Sequence, residues 1–184
     1  FRSASATSGA ITSANNFASI ATQTVTGSAS QITFGNIPQM YTHLQLRIWG
    51  RGAATGNENT AFVQLNTDGG SNYGYYHYIV GNGSTVTSSN GTSVLIPTAV
   101  LPGTSASSSY QGAVIADILN YTNVNKYKTV RSIGGNETGT TGSAILQEGY
   151  WANYSPITSI TVGVAFSSPY TLAVGTVVEL YGIG

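Results

Sequence analysis

Two histidines and six carboxylates supply most of the acid–base chemistry available to this chain: His43, His77, Glu58, Asp68, Asp117, Glu137, Glu148 and Glu179. A hydrolytic triad needs a histidine beside an activated serine, with a third residue to orient it. Serines are plentiful, yet no Gly-x-Ser-x-Gly elbow occurs. Each histidine sits at an alternating position among Leu or Tyr neighbours, the pattern of a packed or surface strand histidine. Paired carboxylates could act on glycosides. Asp117 interrupts the apolar run Ala113–Leu119, where burial would perturb its pKa. The alternative is a structural carboxylate that caps loop amides or meets Arg47, Lys128 or Arg131. Asn66–Asn72 has oxygen-bearing side chains at alternating positions, but it lacks the glycine and closing glutamate of a calcium loop. A tight Asp-Gly-Gly turn explains it equally well. Cysteine is absent, which excludes a disulfide scaffold and a thiolate zinc site. The expectation is no catalytic residue, no metal and no cofactor.

The aromatic residues are more suggestive. Twelve Tyr and two Trp stand in a chain with only 7% charged residues. Tyr joins an apolar ring to a hydrogen-bonding tip and suits interfaces and sugar-stacking surfaces. Tyr73, Tyr75, Tyr76 and Tyr78 crowd one segment; Tyr150, Trp151 and Tyr154 crowd another. On a strand, Tyr75 and His77 point opposite to Tyr76 and Tyr78, so one set belongs to the core and the other to the surface. The candidate interaction surface is Trp49, Tyr75, His77, Tyr150, Trp151 and Tyr154.

The elements that must position these residues are strands. Thr42–Trp49 alternates, with Leu44, Leu46 and Ile48 on one face. Ser19–Val25, Gln31–Phe34, Ala61–Leu65, Tyr73–Val80, Val94–Ile96, Ala113–Leu119, Lys126–Ile133, Ala144–Tyr150, Ile157–Phe166 and Val174–Tyr181 read likewise, separated by Gly, Asn or Pro. Ala99–Ser109 and Gly134–Gly142 read as loops. Ala113–Leu119 is apolar on both faces and is expected to be a central strand. The even spacing predicts an all-β antiparallel sandwich of jelly-roll type over residues 17–184. Its core should hold Leu44, Leu46, Ile48, Val63, Leu65, Ile115, Ile160, Val162, Val164 and Leu180. Phe1–Asn16, rich in Ser, Ala, Thr and Asn, reads as an extended N-terminal arm.

Six basic and six acidic residues leave a net charge of zero. No basic field exists to gather nucleic acid. No apolar run approaches the ~20 residues of a membrane span. The opening lacks the apolar region of a signal peptide, and a start at Phe1 reads as a fragment or processed product. An uncharged polar surface offers little repulsion between copies, which favours a subunit of a larger assembly and a homo-oligomer.

Four stretches carry a resemblance. They are FASIATQTVTGSASQITFGNIPQMYTHLQLR (17–47), FVQLNTDGGSNYGYYHYIVGNGS (62–84), IADILNYTNVNKYKTV (115–130) and the terminal ELYGIG. In this order the chain resembles a β-rich structural or tail domain common in tailed-bacteriophage virion proteins. The resemblance spans most of Phe17–Gly184, implies a non-enzymatic structural role and supplies no site residue. It places the chain on the virion surface, as capsid decoration, head fibre or tail component, with other virion proteins as partners. A host-surface adhesin that binds glycans is the alternative.

Overall fold

The computed structural model describes residues 17–27, 31–139, 141–165 and 171–184. The arm expected over Phe1–Asn16 lies outside them. Twelve strands run in chain order: β1 (Phe17–Thr24), β2 (Gln31–Phe34), β3 (His43–Gly50), β4 (Glu58–Leu65), β5 (Tyr73–Asn82) and β6 (Thr85–Ser93), then β7 (Ile96–Pro102), β8 (Gly112–Leu119), β9 (Lys128–Glu137), β10 (Gly142–Trp151), β11 (Ile160–Ala165) and β12 (Val177–Ile183). The described residues contain no helix. The strands form an eight-stranded sheet, β1-β12-β3-β8-β9-β10-β5-β6, and a four-stranded sheet, β2-β11-β4-β7. Every neighbouring pair is antiparallel. The all-β antiparallel sandwich expected from the sequence is what the chain forms.

Alternation drives the packing. In β3, Leu44, Leu46 and Ile48 point inward and are buried, as are Val114, Ala116 and Ile118 of β8. Ile160, Val162 and Val164 meet them from the small sheet in one continuous core. The turn after β4 is tight: Asn66 and Thr67 both take positive φ, 51° and 52°, a region Asn tolerates better than most residues. The Asn66 side chain then fastens a distant loop. Its Oδ1 accepts from the amides of Thr158 and Ser159 at 2.8 and 3.1 Å, and its Nδ2 donates to the Pro156 carbonyl at 2.8 Å.

Nine of the ten expected core residues are buried, and Ile115 is not. It lies 40% exposed on the outer side of β8. β8 is central in its sheet, but the small sheet covers only one face, so the second apolar face of Ala113–Leu119 looks outward. Other boundaries also differ from the sequence reading, β4, β11 and β12 among them. β6 has no hydrophobic alternation and was not anticipated. Ala99–Pro102 belongs to β7, and Gly134–Glu137 continues β9 instead of forming a loop. Glycine at 134 has a packing reason: a Cβ there would stand 2.5 Å from the Ala99 Cβ of β7.

Candidate functional site

The open face of the large sheet gathers most of what the sequence offered as chemistry. Strand register lines up one row across all eight strands: Ser19, Tyr181, Gln45, Asp117, Arg131, Glu148, His77 and Asn90. The next row, two residues along each strand and three along β1, where the register breaks, reads Thr22, Glu179, Arg47, Ile115, Ile133, Leu146, Ile79 and Ser88. A polar row therefore borders an apolar one. Ile115, Ile133, Leu146 and Ile79 are 40%, 60%, 47% and 47% exposed and sit on four consecutive strands. Trp49, beyond Arg47 on β3, adds an exposed indole.

Six charged side chains among the described residues lie on this face, Arg47, Asp117, Arg131, Glu137, Glu148 and Glu179, and each has a hydrogen-bond partner; Glu137 Oε1 accepts from the Thr138 and Gly139 amides at 2.9 and 2.8 Å. Arg131 Nε donates to Glu148 Oε2 at 2.9 Å, and a second guanidinium nitrogen reaches the same oxygen. Arg47 Nε donates to Gln45 Oε1 at 3.0 Å, and Gln45 Nε2 donates to Asp117 Oδ1 at 2.9 Å. The Arg47 guanidinium also lies 5.1 and 5.0 Å from the ring centres of Phe17 and Tyr181. Tyr181 donates its hydroxyl to Glu179 Oε2 at 2.9 Å, which raises the Tyr181 pKa above its ordinary value. The six charges thus form local pairs and chains rather than a single converging cluster.

Asp117 is half-buried on the outer face and accepts from Gln45, a partner the sequence reading does not name among loop amides, Arg47, Lys128 and Arg131. His43 Nδ1 accepts the Asn120 amide at 2.9 Å, which ties β3 to the turn after β8. His77 is exposed and lies across from Glu148, whose carboxylate Arg131 holds. Among the described residues, no three His, Asp or Glu side chains gather closely enough to hold a metal ion. In the Asn66–Asn72 turn, Asp68 accepts from Trp151 Nε1 at 2.7 Å, Asn72 Nδ2 at 2.8 Å and the Gly70 amide at 2.9 Å. Those donors, the indole first, hold its pKa below the ordinary carboxylate value. Asp68 anchors the turn to the core.

That bond corrects one expectation. Trp151 was placed on the candidate surface, but it is 1% exposed and among the largest fully buried side chains. As the last residue of β10 it points inward, opposite to Tyr150, and Asp68 satisfies its indole N–H. Trp49 and Tyr154 are exposed as expected. Tyr75 lies within β5, and its side chain lies outside the description. Tyr76 and Tyr78 point inward, half-buried, with rings 6.1 Å apart and nearly parallel. They line the cleft where β5 overhangs β7.

A second aromatic group stands at one end of the face. The Tyr127 ring lies 6.0 Å from Tyr150, nearly parallel at 4°, and 5.0 Å from Tyr154. Contact with the Tyr154 phenol raises the Tyr127 pKa. Tyr150 crosses over Gly74, where a Cβ would come within 1.8 Å of the ring. Sequence reading found Tyr150 and Tyr154 and missed Tyr127, which is 23 and 27 positions away along the chain. No family model, curated protein or solved structure matches the chain.

Proposed function

We propose that the chain is a non-enzymatic structural protein displayed on a virus particle, built to be covered rather than to turn over a substrate. The observation that carries this reading is the bare apolar row Ile115–Ile133–Leu146–Ile79, set in a face whose charged groups are already hydrogen-bonded. Contiguous exposed apolar surface of this kind marks an interaction site. Two further points support a shell or tail subunit. Without the β5–β6 and β9–β10 hairpins, the strand orders become β1-β12-β3-β8 and β2-β11-β4-β7. The chain winds between these two four-stranded sheets as a jelly roll does, a fold suited to shells. The four sequence stretches that resemble tailed-phage virion domains favour the same setting, with capsid decoration, head fibre or tail component as the roles.

The test is quantitative mass spectrometry on purified particles of the encoding virus, paired with a cryo-EM map. We expect the chain in fixed copy number, with density that fits the sandwich; high copy number points to decoration and a few copies to the tail. Absence from particles overturns the proposal. Reproducible glycan or peptide cleavage abolished by His43→Ala, His77→Ala or Asp117→Asn overturns its non-enzymatic part.

The Tyr127, Tyr150 and Tyr154 group favours a second reading, a host-surface glycan-binding module, because stacked exposed rings suit sugar faces. Glycan-array binding lost in Tyr154→Ala supports it, and an array blank for the intact chain removes it.

A further inference from the structure

The two sheets have four edges, and three carry a device that blocks pairing with another chain. β2 is only four residues long. β1 has a register break between Ser19 and Ala21. β7 contains Pro97 and Pro102, which lack the amide a partner strand would need. These are the means by which soluble sheets avoid edge-to-edge association. β6, the remaining edge, has none of them. It is nine residues long, TVTSSNGTS, with no charge and no proline. Its one register irregularity against β5 falls between Tyr73 and Tyr76, on the β5 side. Every residue from Thr85 to Asn90 is exposed, because the small sheet ends at β7 and leaves the β5–β6 hairpin overhanging.

We infer that β6 is a docking edge whose occupant is β6 of a second copy, paired antiparallel about a two-fold axis near Ser89. The sequence is self-complementary in that arrangement. Ser89 faces Ser89 of the second copy, Ser88 faces Asn90, Thr87 faces Gly91, Val86 faces Thr92 and Thr85 faces Ser93. No like charges oppose one another, and no long side chain stands in the way of the joint. The two large sheets would merge across the joint. Val86, 72% exposed at the edge, would pack beside Thr92 of the second copy and lose part of that exposure. A two-fold joint closes on itself, so the product is a dimer and not a fibre. This inference stands whether or not a virus particle is where the protein works.

The absence of cysteine permits a direct test on the whole chain. Under mild oxidation Ser89→Cys should form a disulfide-linked dimer, because facing residues on antiparallel strands lie within disulfide reach. Met40→Cys, also exposed but in the loop before β3, should not. The unmodified chain should sediment as a dimer at about 100 µM or below, the weak end expected of a small interface. Ser88→Lys with Asn90→Lys sets like charges opposite each other at the joint without touching the backbone. It should weaken the dimer at least tenfold, with an unchanged melting curve at concentrations where the intact chain is monomeric. Mixing it with Ser88→Glu/Asn90→Glu should restore a mixed dimer, which a merely structural role for β6 would not do. A chain monomeric throughout that range overturns the inference, as does a dimer indifferent to the lysine pair or equal cross-linking at residues 40 and 89.

Discussion

Arg51 holds an entire loop, and its removal gives the sharpest test of how this low-charge chain stabilises itself. The connection from β7 to β8 is made of small residues, Gly103-Thr-Ser-Ala-Ser-Ser-Ser-Tyr110, with little to bury. Four of its carbonyls converge on one guanidinium instead. One terminal nitrogen donates to Tyr110 O at 2.7 Å and to Ser107 O; the other donates to Gly103 O at 2.6 Å and Ala106 O at 2.8 Å. Hydrogen bonds to a charged group contribute about 1.5–3 kcal/mol each when well buried. The site is only part-buried, so water would replace some of these bonds. Arg51→Met keeps the stem and should cost about 2–4 kcal/mol in total. For a domain of this size that is a fall in Tm of about 5–15 °C. Arg51→Lys retains the charge but brings one nitrogen where two are needed, so it should recover less than half of the loss. Urea unfolding gives the magnitude, and hydrogen exchange at the Ala106 and Tyr110 amides gives the location. A loss below about 0.5 kcal/mol for Arg51→Met, or full rescue by lysine, would refute the claim that the carbonyl cage orders the loop.

Three further outcomes follow from the same structure. Leu46→Ala should cost about 2–5 kcal/mol because its site is fully packed, whereas Ile115→Ala on the outer face should change stability by no more than ~0.5 kcal/mol; equal effects in chemical denaturation would mean the faces are reversed. The Asp68 pKa is lowered by Trp151 and Asn72, so its contribution is complete above the unfolded value of 3.8 and lost as pH falls through the folded pKa; Asp68→Asn should be less stable at pH 7, with the gap closing in acid melts. Burial lifts the Tyr73 pKa from 10.0 to about 12, while its hydroxyl bridges the Leu65 amide and carbonyl. Stability tied to that phenol is full below pH 10 and lost between 10 and 12, so Tyr73→Phe should cost about 1–3 kcal/mol at neutral pH and lose less on alkaline titration.

Period-two alternation made the sandwich legible. β2, β3 and β8 were located to within a residue because polar and apolar side chains divide cleanly between a wet and a dry face. β6 was invisible for the converse reason: with both faces wet, Thr, Ser and Asn occupy seven of its nine positions, and the lone Val86 sets no period to detect. The site was partly legible. Exposure of Trp49, His77 and Tyr154 agrees with the aromatic reading, whereas Trp151 shows its limit. An indole beside a turn looks like a surface group until its N–H meets a carboxylate, and that carboxylate, Asp68, lies 83 positions away in the chain. The Tyr127 partnership with Tyr150 was similarly beyond reach, because a stacked ring pair leaves no local pattern.

The error at Ile115 carries the most physical content. A strand apolar on both faces is ordinarily one buried on both faces, and the inference fails here only because a four-stranded layer covers an eight-stranded one. Single exposed apolar side chains are common and need no explanation. Four in register on adjacent strands are different, because a partner can cover them together. The surrounding charges sharpen the point. Arg131 is held by Glu148, and Arg47 is linked through Gln45 to Asp117. A partner laid on this face therefore meets charged groups that already hold hydrogen-bond partners, although its carboxylates outnumber its cations, and the desolvation penalty of burying the bonded groups is reduced. Charge scarcity across the whole chain acts in the same direction, since little electrostatic repulsion remains to keep copies apart. The apolar row and the unguarded β6 edge lie on one continuous surface, with Ile79 beside Ser88 across β5 and β6. Association along the edge would extend the face, and a wider face would present more apolar area to whatever covers it.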